Sequence, residues 1–489
     1  MKRFICIHGH FYQPPRENPW SGEIEVEASA KPYPNWNERI TTECYAPNTV
    51  ARILDEEGHV LKTVNNFEKM SFNFGPTLFC WMQKKAPKVY QAILQADQES
   101  QKMFSGHGNA IAQAYNHLIM PLANARDKYT QVFWGIRDFE FRFCRRPEGM
   151  WLPETAVDLE SLEMLAELGI QFTILAPHQA RKSEGGEMDS KTPYLLKFPS
   201  GKSISLFFYE ASISKAVAFE NLLSNGDHFA QRLISAFSED SEKAELLHLA
   251  TDGESYGHHH RFGEMALAYA MDWIEARQVA QITNYAEYLE KFPPTDTVEI
   301  VENTSWSCSH GIERWRADCG CNSGGGSADW NQGWRAPLRE ALDYLRDACV
   351  PLYEKEASHF LRDPWAARND FIDLILDPSE PQWLKFLYRH ARGGISETEK
   401  KTVLKLLELQ RYAMLMYSSC GWFFDDLSGL ESVQILQYAG KVLQLARKLF
   451  EKDLEESFLT LLGKAESNLP EEGNGRQIYE RYVRPLATG

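Results

Sequence analysis

At 489 residues the chain is too long for one ordinary hydrophobic core and implies two or three domains. Hydrophobic residues at 43% and charged residues at 25% describe a soluble globular protein, and 52 basic against 68 acidic residues leave a net charge of −16. That charge opposes non-specific nucleic-acid binding and attraction to anionic membranes. The nine cysteines are odd in number and scattered without a paired framework. No run reaches the roughly 18 apolar residues of a membrane span, and the start lacks a signal peptide's apolar stretch, so the expected compartment is the cytoplasm.

Over the first three hundred residues short β-rich runs alternate with longer amphipathic ones. Phe4–Ile7, Met70–Phe74, Gly149–Leu152, Phe172–Ala176, Ile204–Tyr209, Leu246–Thr251 and Ala280–Thr283 read as strands. Pro76–Gln95, Asp127–Phe143, Val157–Leu168, Phe229–Ser238, Gly263–Glu275 and Tyr285–Lys291 carry apolar residues at three- and four-residue spacing and read as helices. This repeated β-then-α order means parallel strands with helical crossovers, and about seven such units favour a closed barrel. Arg181–Lys202, with Gly185-Gly186 and Pro199-Ser200-Gly201, reads as a surface excursion. The Gly/Ser-rich stretch Cys319–Ser327 reads as a flexible loop or domain junction. Beyond Trp334 the periodicity is helical throughout: Leu338–Ala348, Pro351–Leu361, Trp365–Leu376, Glu397–Tyr417, Ser432–Phe450 and Asp453–Ala465. The expected organisation is therefore α/β over residues 1–320 followed by an all-α helical domain over 330–489.

Two carboxylates stand where buried strands should end, Glu154 in Gly149–Thr155 and Asp252 in His248–Gly257. In α/β chains catalytic groups collect at strand C-termini, because the loops there share one face. Each carboxylate has a plainer reading, Glu154 as a helix-start acid behind Pro153 and Asp252 as an Asp-Gly turn residue. Together with His8 and His10, which point the same way from the first strand, they favour catalysis on a polar, uncharged substrate such as a sugar. Gln13 and Pro14 follow that strand. The loop holding His107 and Asn109 is a candidate sugar contact, with turn chemistry as its rival. The cluster from Ser305 to Trp315 supplies Trp306, His310 and Trp315 as candidate sugar platform and rim, with interdomain packing as the rival. The run His258-His259-His260 reads as surface or rim. Cys308, Cys319 and Cys321 around His310 match none of the common zinc spacings, so no metal and no cofactor are expected.

These motifs resemble glycoside hydrolase family 57, whose members are retaining α-glucan enzymes on a (β/α)7 barrel. The opening His8, His10, Gln13 and Pro14 matches the family's first motif. Trp151-Leu152-Pro153-Glu154 resembles its nucleophile motif, and Asp252-Gly253-Glu254-Ser255-Tyr256-Gly257 its acid/base motif. Where the family's second motif usually carries a Glu, this chain has Asn109. The helical part is similar to the segment that follows the barrel in a subgroup of the family, in which Trp422 would reach the substrate. The resemblance implies a distorted (β/α)7 barrel, Glu154 as nucleophile, Asp252 as acid/base, and His8, His10, Gln13, Trp151 and Trp306 around the sugar. The implied partner is an α-glucan or malto-oligosaccharide; amylase, 4-α-glucanotransferase and branching activities all stay open. Two rival classes are a metal-dependent carbohydrate deacetylase or mannosidase using His8, His10 and Asp252, and a non-catalytic glucan-binding protein.

Overall fold

The computed structural model describes residues 2–239 and 243–488. The chain forms two compact units. The first takes Met1–Gln13, Val26–Ala114 and Phe139–Glu302; the second takes Pro14–Glu25, Tyr115–Asp138 and Asn303–Gly489. The helical unit thus begins at Asn303 and also recruits two stretches from earlier in the chain.

In the first unit the parallel strands are β1 (Arg3–Phe11), β2 (Ser71–Phe74), β3 (Ala112–Gln113), β4 (Met150–Trp151), β5 (Phe172–Leu175), β6 (Ser203–Phe208), β7 (Glu245–Asp252) and β8 (Gln281–Ile282). Strand β1 is buried almost throughout, because it is paired on both edges: with β7 on one side, and with β2 and β8 on the other. The register puts His10 beside Asp252 and beside Asn73, and His8 beside Ser71. Parallel pairing also joins β3 to β4 and β5 to β6, while parallel bridges Phe72–Ala110 and Gly149–Phe172 link β2 to β3 and β4 to β5. Under the C-terminal ends of β1 and β2 lies an aromatic cluster, with Phe11 stacked on Phe74 at 4.7 Å and Phe74 on Phe79 at 4.7 Å.

Several elements differ from the expected ones for local reasons. The helix expected over Pro76–Gln95 is two, Pro76–Lys85 and Pro87–Met103, because Ala86, the residue before Pro87, is driven out of helical geometry (φ −131°, ψ 52°). Arg181–Lys202 is not an excursion free of strands: Tyr194–Lys197 pairs antiparallel with β6, and Ala180–Lys182 pairs antiparallel with Val298–Ile300. An unexpected hairpin joins Ala51–Leu54 to Val60–Val64. In the second unit the two helices expected around Pro351 are one, Arg335–Ala357. Its buried residues Leu338, Leu342, Leu345, Cys349 and Tyr353 run through the proline, so packing outweighs the lost backbone hydrogen bond. Further helices at Glu380–His390 and Gly475–Tyr482 were not expected. The unit's core includes Trp134, Phe371, Trp383 and Leu407, and Arg368, itself buried, donates to Asp127 at 2.6 Å and to Thr130 at 2.6 Å. Among the described residues no helix is long and apolar enough to cross a membrane.

Candidate active site

Each carboxylate motif stands at a strand's C-terminal end for a physical reason. Asp252 closes β7 and turns at once into the short helix Gly253–Ser255. Residue 253 must be glycine: a Cβ there would lie 2.3 Å from the Phe11 ring, so close packing against β1 sets the bend that carries Asp252. Glu154 follows β4 in the turn Pro153–Thr155 and sits in the left-handed region (φ 57°, ψ 19°), with Thr155 beside it at φ 49°. Left-handed backbone at a non-glycine residue costs on the order of 1–3 kcal/mol and persists where neighbours over-determine it. Here Gln179 Nε2 holds the Thr155 carbonyl at 2.8 Å, and the Ala156 amide donates to Pro153 O at 2.9 Å.

The two carboxyls sense each other. Asp252 keeps solvent-accessible surface while protein surrounds it at longer range; that desolvation, reinforced by the charge of Glu154, pushes its carboxyl up to about 7. Glu254, two residues on, is pushed up to about 8 by burial and then by Asp252. Its Oε1 accepts from the Tyr45 hydroxyl at 2.6 Å and from the Tyr12 amide at 3.1 Å. Tyr209, just beyond β6, has its phenol raised by burial and by Asp252. Three carboxyls therefore crowd one region, and burial first, then like charge, holds Asp252 and Glu254 above the usual carboxylate range.

Beside them stands a neutral polar wall. Burial drives His8 down to about 3, helped by His10, and burial drives His10 down to about 3. Asn73 organises both rings. Its Oδ1 accepts from His8 Nε2 at 3.1 Å, and its Nδ2 donates to His10 Nδ1 at 2.9 Å and to Gln113 Oε1 at 2.8 Å. Ser71 Oγ completes His8 at Nδ1, 3.0 Å away. With Asn73 Nδ2 as the donor to its Nδ1, His10 carries its proton on Nε2; Asn73 Oδ1 lies 3.3 Å from the same nitrogen and would accept from a proton placed on Nδ1. Trp151 stacks on His8 at 5.1 Å and on His10 at 4.9 Å, so it is fully buried backing for the histidines rather than an open sugar platform.

The structure brings Glu154, Asp252, His8, His10 and Trp151 to these strand ends, and Gln13 two residues beyond β1, where its Nε2 donates to the Tyr12 carbonyl at 3.0 Å. His107 and Asn109 are not brought there. Both precede β3, whose far end carries Gln113, so they lie at the N-terminal edge of the strands. There His107 bonds Glu148 at 2.8 Å and Glu290 at 3.1 Å, and Asn109 Oδ1 accepts from Asn284 at 3.1 Å. In the second unit Trp315 and Trp422 have no exposed surface and so offer no ring face to a sugar; Trp422 donates to Arg335 O at 3.2 Å under the Arg339 guanidinium. Trp306 is half-buried, and His310 Nδ1 lies 3.5 Å from Cys321 Sγ. Of the histidine run, His258 bonds Glu43 at 2.5 Å and His260 bonds Ala218 O at 3.0 Å, consistent with a rim position.

Sequence reasoning missed Asn73, Gln113, Tyr45, Tyr209 and the role of Glu254. For Asn73 a signal existed: in Ser71-Phe72-Asn73-Phe74 polar and aromatic residues alternate, which places Ser71 and Asn73 on one face of a strand. Gln113 lay in a strand of two residues, too short to leave a pattern. Among the described residues its buried Nε2 has no hydrogen-bond partner, which marks it as a donor facing unmet demand at the site's edge.

Family descriptions match most of the chain. The description "Glycosyl hydrolase family 57" matches residues 7–301, and "Domain of unknown function (DUF3536)" matches residues 330–489. An α-amylase 1 from Dictyoglomus thermophilum is 24% identical over 38% of this chain and 26% of its own length. A 4-α-glucanotransferase from Thermococcus litoralis is 20% identical over 49% of this chain and 36% of its own. The chain thus spans about a third or less of the curated relatives it matches. Among solved structures, an exo-type maltose-forming amylase from Pyrococcus sp. ST04 shares the fold at TM-score 0.70 and 16% identity, covering 95% of this chain and 83% of that one. A branching enzyme from Pyrococcus horikoshii does so at TM-score 0.59 and 16% identity, over 100% and 97%. With more than half of its residues matched by the family description, the chain belongs to glycosyl hydrolase family 57.

Proposed function

We propose that this chain is a retaining α-glucan-active glycosidase or glucanotransferase with Glu154 as nucleophile and Asp252 as acid/base. The observation that carries this is an Asp252 carboxyl held at about 7 by desolvation and, beyond that, by the charge of Glu154. A proton kept on Asp252 near neutral pH is what a general acid needs. In the first step Glu154 attacks the anomeric carbon, the glycosidic C–O bond breaks, and Asp252 gives its proton to the leaving oxygen. Forming the glycosyl ester removes the negative charge of Glu154, and the Asp252 carboxyl becomes more acidic. It then takes the proton of a water or acceptor hydroxyl as that oxygen attacks the anomeric carbon and frees Glu154. Water gives hydrolysis; a sugar gives transfer.

In this reading His10, with its proton on Nε2, donates to a sugar hydroxyl, and Asn73 and His8 hold it in that tautomer. Gln13 and the Gln113 Nε2, which has no partner among the described residues, supply further donors. The substrate is an α-glucan or malto-oligosaccharide, by analogy with the amylases and glucanotransferases similar to this chain, and the chemistry needs no cofactor. The accompanying fold is a distorted (β/α)7 barrel built within the first unit, whose last stretch ends at Glu302 rather than near residue 320, with the helical domain over 330–489 in the second. Closure of the barrel is supported by the chain of parallel pairs and bridges from β7 through β1 to β6, and by the Glu210 amide donating to His248 O at 2.8 Å between the end of β6 and β7. A cytoplasmic location rests on nine unpaired cysteines.

A fluorinated α-glucosyl fluoride, which forms the glycosyl ester faster than it is released, tests the assignment. The expected result is one glycosyl adduct on the peptide containing Glu154. An adduct on another residue, or none on enzyme that turns over glucan, would refute it.

A further inference from the structure

The second unit contains a cluster that the glycosidase chemistry does not use. Cys308 Sγ lies 3.7 Å from Cys321 Sγ and 4.0 Å from Cys319 Sγ, and Cys321 Sγ lies 3.5 Å from His310 Nδ1. All four ligand atoms fall within 4.8 Å of one another. We propose that Cys308, His310, Cys319 and Cys321 bind one zinc ion as a closed, structural Cys3His site.

The distances fit a tetrahedron around zinc. With Zn–S of about 2.3 Å, two sulfurs at the tetrahedral angle are about 3.8 Å apart; with Zn–N of about 2.05 Å, sulfur and nitrogen are about 3.5 Å apart. The observed separations of 3.7, 4.0 and 3.5 Å cluster around these values. A disulfide needs sulfurs about 2.05 Å apart and would leave the third thiol and the imidazole without a role. Ligand chemistry points the same way, since thiolate and imidazole select zinc over magnesium or calcium. Four protein ligands fill the coordination sphere, which makes the site structural rather than catalytic.

The surroundings are built to hold this arrangement. Arg314 ties the first ligand loop down through Ser307 O at 3.0 Å and Phe423 O at 3.0 Å. Gly311, at φ 85°, allows that loop to pass where a Cβ would lie 2.3 Å from Asn303 O. The Asp425 carboxylate takes the Ser323 amide at 2.6 Å and the Gly325 amide at 2.7 Å, anchoring the Gly/Ser-rich stretch that follows Cys321. Binding converts three thiols to thiolates, releases their protons to solvent, and leaves one net negative charge on Zn(Cys)3(His). Arg335, fully buried, approaches Cys319 Sγ with its Nη1 at 3.8 Å and supplies the opposing charge. The ligands lie between residues 301 and 330, the stretch that neither family description covers. The spacing Cys-x-His…Cys-x-Cys gave no familiar signature because the two pairs meet only once this stretch folds back on itself, so the expectation of no metal is revised.

The test is elemental analysis of the full chain produced in zinc-supplemented medium and dialysed without chelator. About one zinc per chain is expected, falling to under a tenth in Cys319→Ser/Cys321→Ser and unchanged in Cys144→Ser, an exposed cysteine of the first unit. Should the double variant fail to fold, titration of the parent protein with an organomercurial decides: zinc released in step with three thiols supports the site. Parent protein with under a tenth of an equivalent of zinc, zinc retained by a folded double variant, or thiol titration that frees no zinc would overturn it. The proposal stands independently of the glycosidase reading.

Discussion

At the N-terminal edge of the strands, acids meet cations: Asp97 takes two bonds from Arg145 at 2.8 Å, His107 bridges Glu148 and Glu290, and Lys291 reaches Glu287 at 2.6 Å. At the C-terminal edge, acids meet acids: Asp252 is raised by burial and by Glu154, and Glu254 by burial and by Asp252. Both edges are rich in His, Asn and carboxylate, so composition does not separate them; charge compensation does. The first arrangement stabilises the folded chain. The second destabilises it and is retained for what poised carboxyls do to a substrate.

The largest expected effect breaks the second edge. Asp252→Asn should lower kcat/KM by roughly 10²–10⁴-fold, the usual share of a general acid/base, and Glu154→Gln by more. In the parent enzyme kcat/KM should fall as pH rises through about 7, where Asp252 loses its proton. A pH–rate series on the parent, and single-pH rates on the variants, check both.

Stability should invert between the edges. Asp97→Asn strips a buried partner from Arg145 and should cost about 3 kcal/mol or more in denaturant unfolding. Asp252→Asn should cost nothing at pH 8 and should gain relative to the parent. The sign follows from linkage: the folded carboxyl titrates near 7 and the unfolded one near 3.8, so between those values the folded chain binds the extra proton and the parent loses stability as pH rises. A parent and an Asp252→Asn variant with identical stability-versus-pH curves would contradict the compensation argument.

A smaller effect is expected at the polar wall. Asn73→Ala removes the partner of His8 Nε2, His10 Nδ1 and Gln113 Oε1, leaves buried groups unpaired, and should cost about 1–3 kcal/mol of stability together with a drop in kcat/KM.

The smallest effect belongs to His107. Burial lowers its pKa, but Glu290 and Glu148 outweigh burial and raise it, so its ion pairs stabilise the fold at acid pH and fade as pH rises. His107→Ala should leave kcat/KM unchanged and cost below about 1 kcal/mol at pH 6, measured by denaturant unfolding. A large fall in kcat/KM would return His107 to the substrate site.

Much of this was legible in the sequence where a strand is long or a motif is short and local. Leu246–Thr251 gave β7 and Gly149–Leu152 gave β4, and with them both carboxylates at strand ends. The side of the sheet on which His107 and Asn109 lie was not legible, because β3, the strand that settles it, spans only two residues. Residue type draws Trp315 to the substrate and family resemblance draws Trp422, yet both are buried in the helical unit and offer no ring face. The partners of Glu254 come from Tyr12 and Tyr45, about two hundred residues upstream, and no local pattern announces contacts across such a distance.

The most direct test of the central claim is a proton NMR time course on linear α-1,4-glucan with the parent enzyme and Glu154→Gln. The account predicts that the parent changes the anomeric signals with α-configured product appearing first, and that Glu154→Gln is silent. A first-formed β-anomer, or turnover by Glu154→Gln comparable to the parent, would contradict a retaining mechanism built on Glu154 and Asp252.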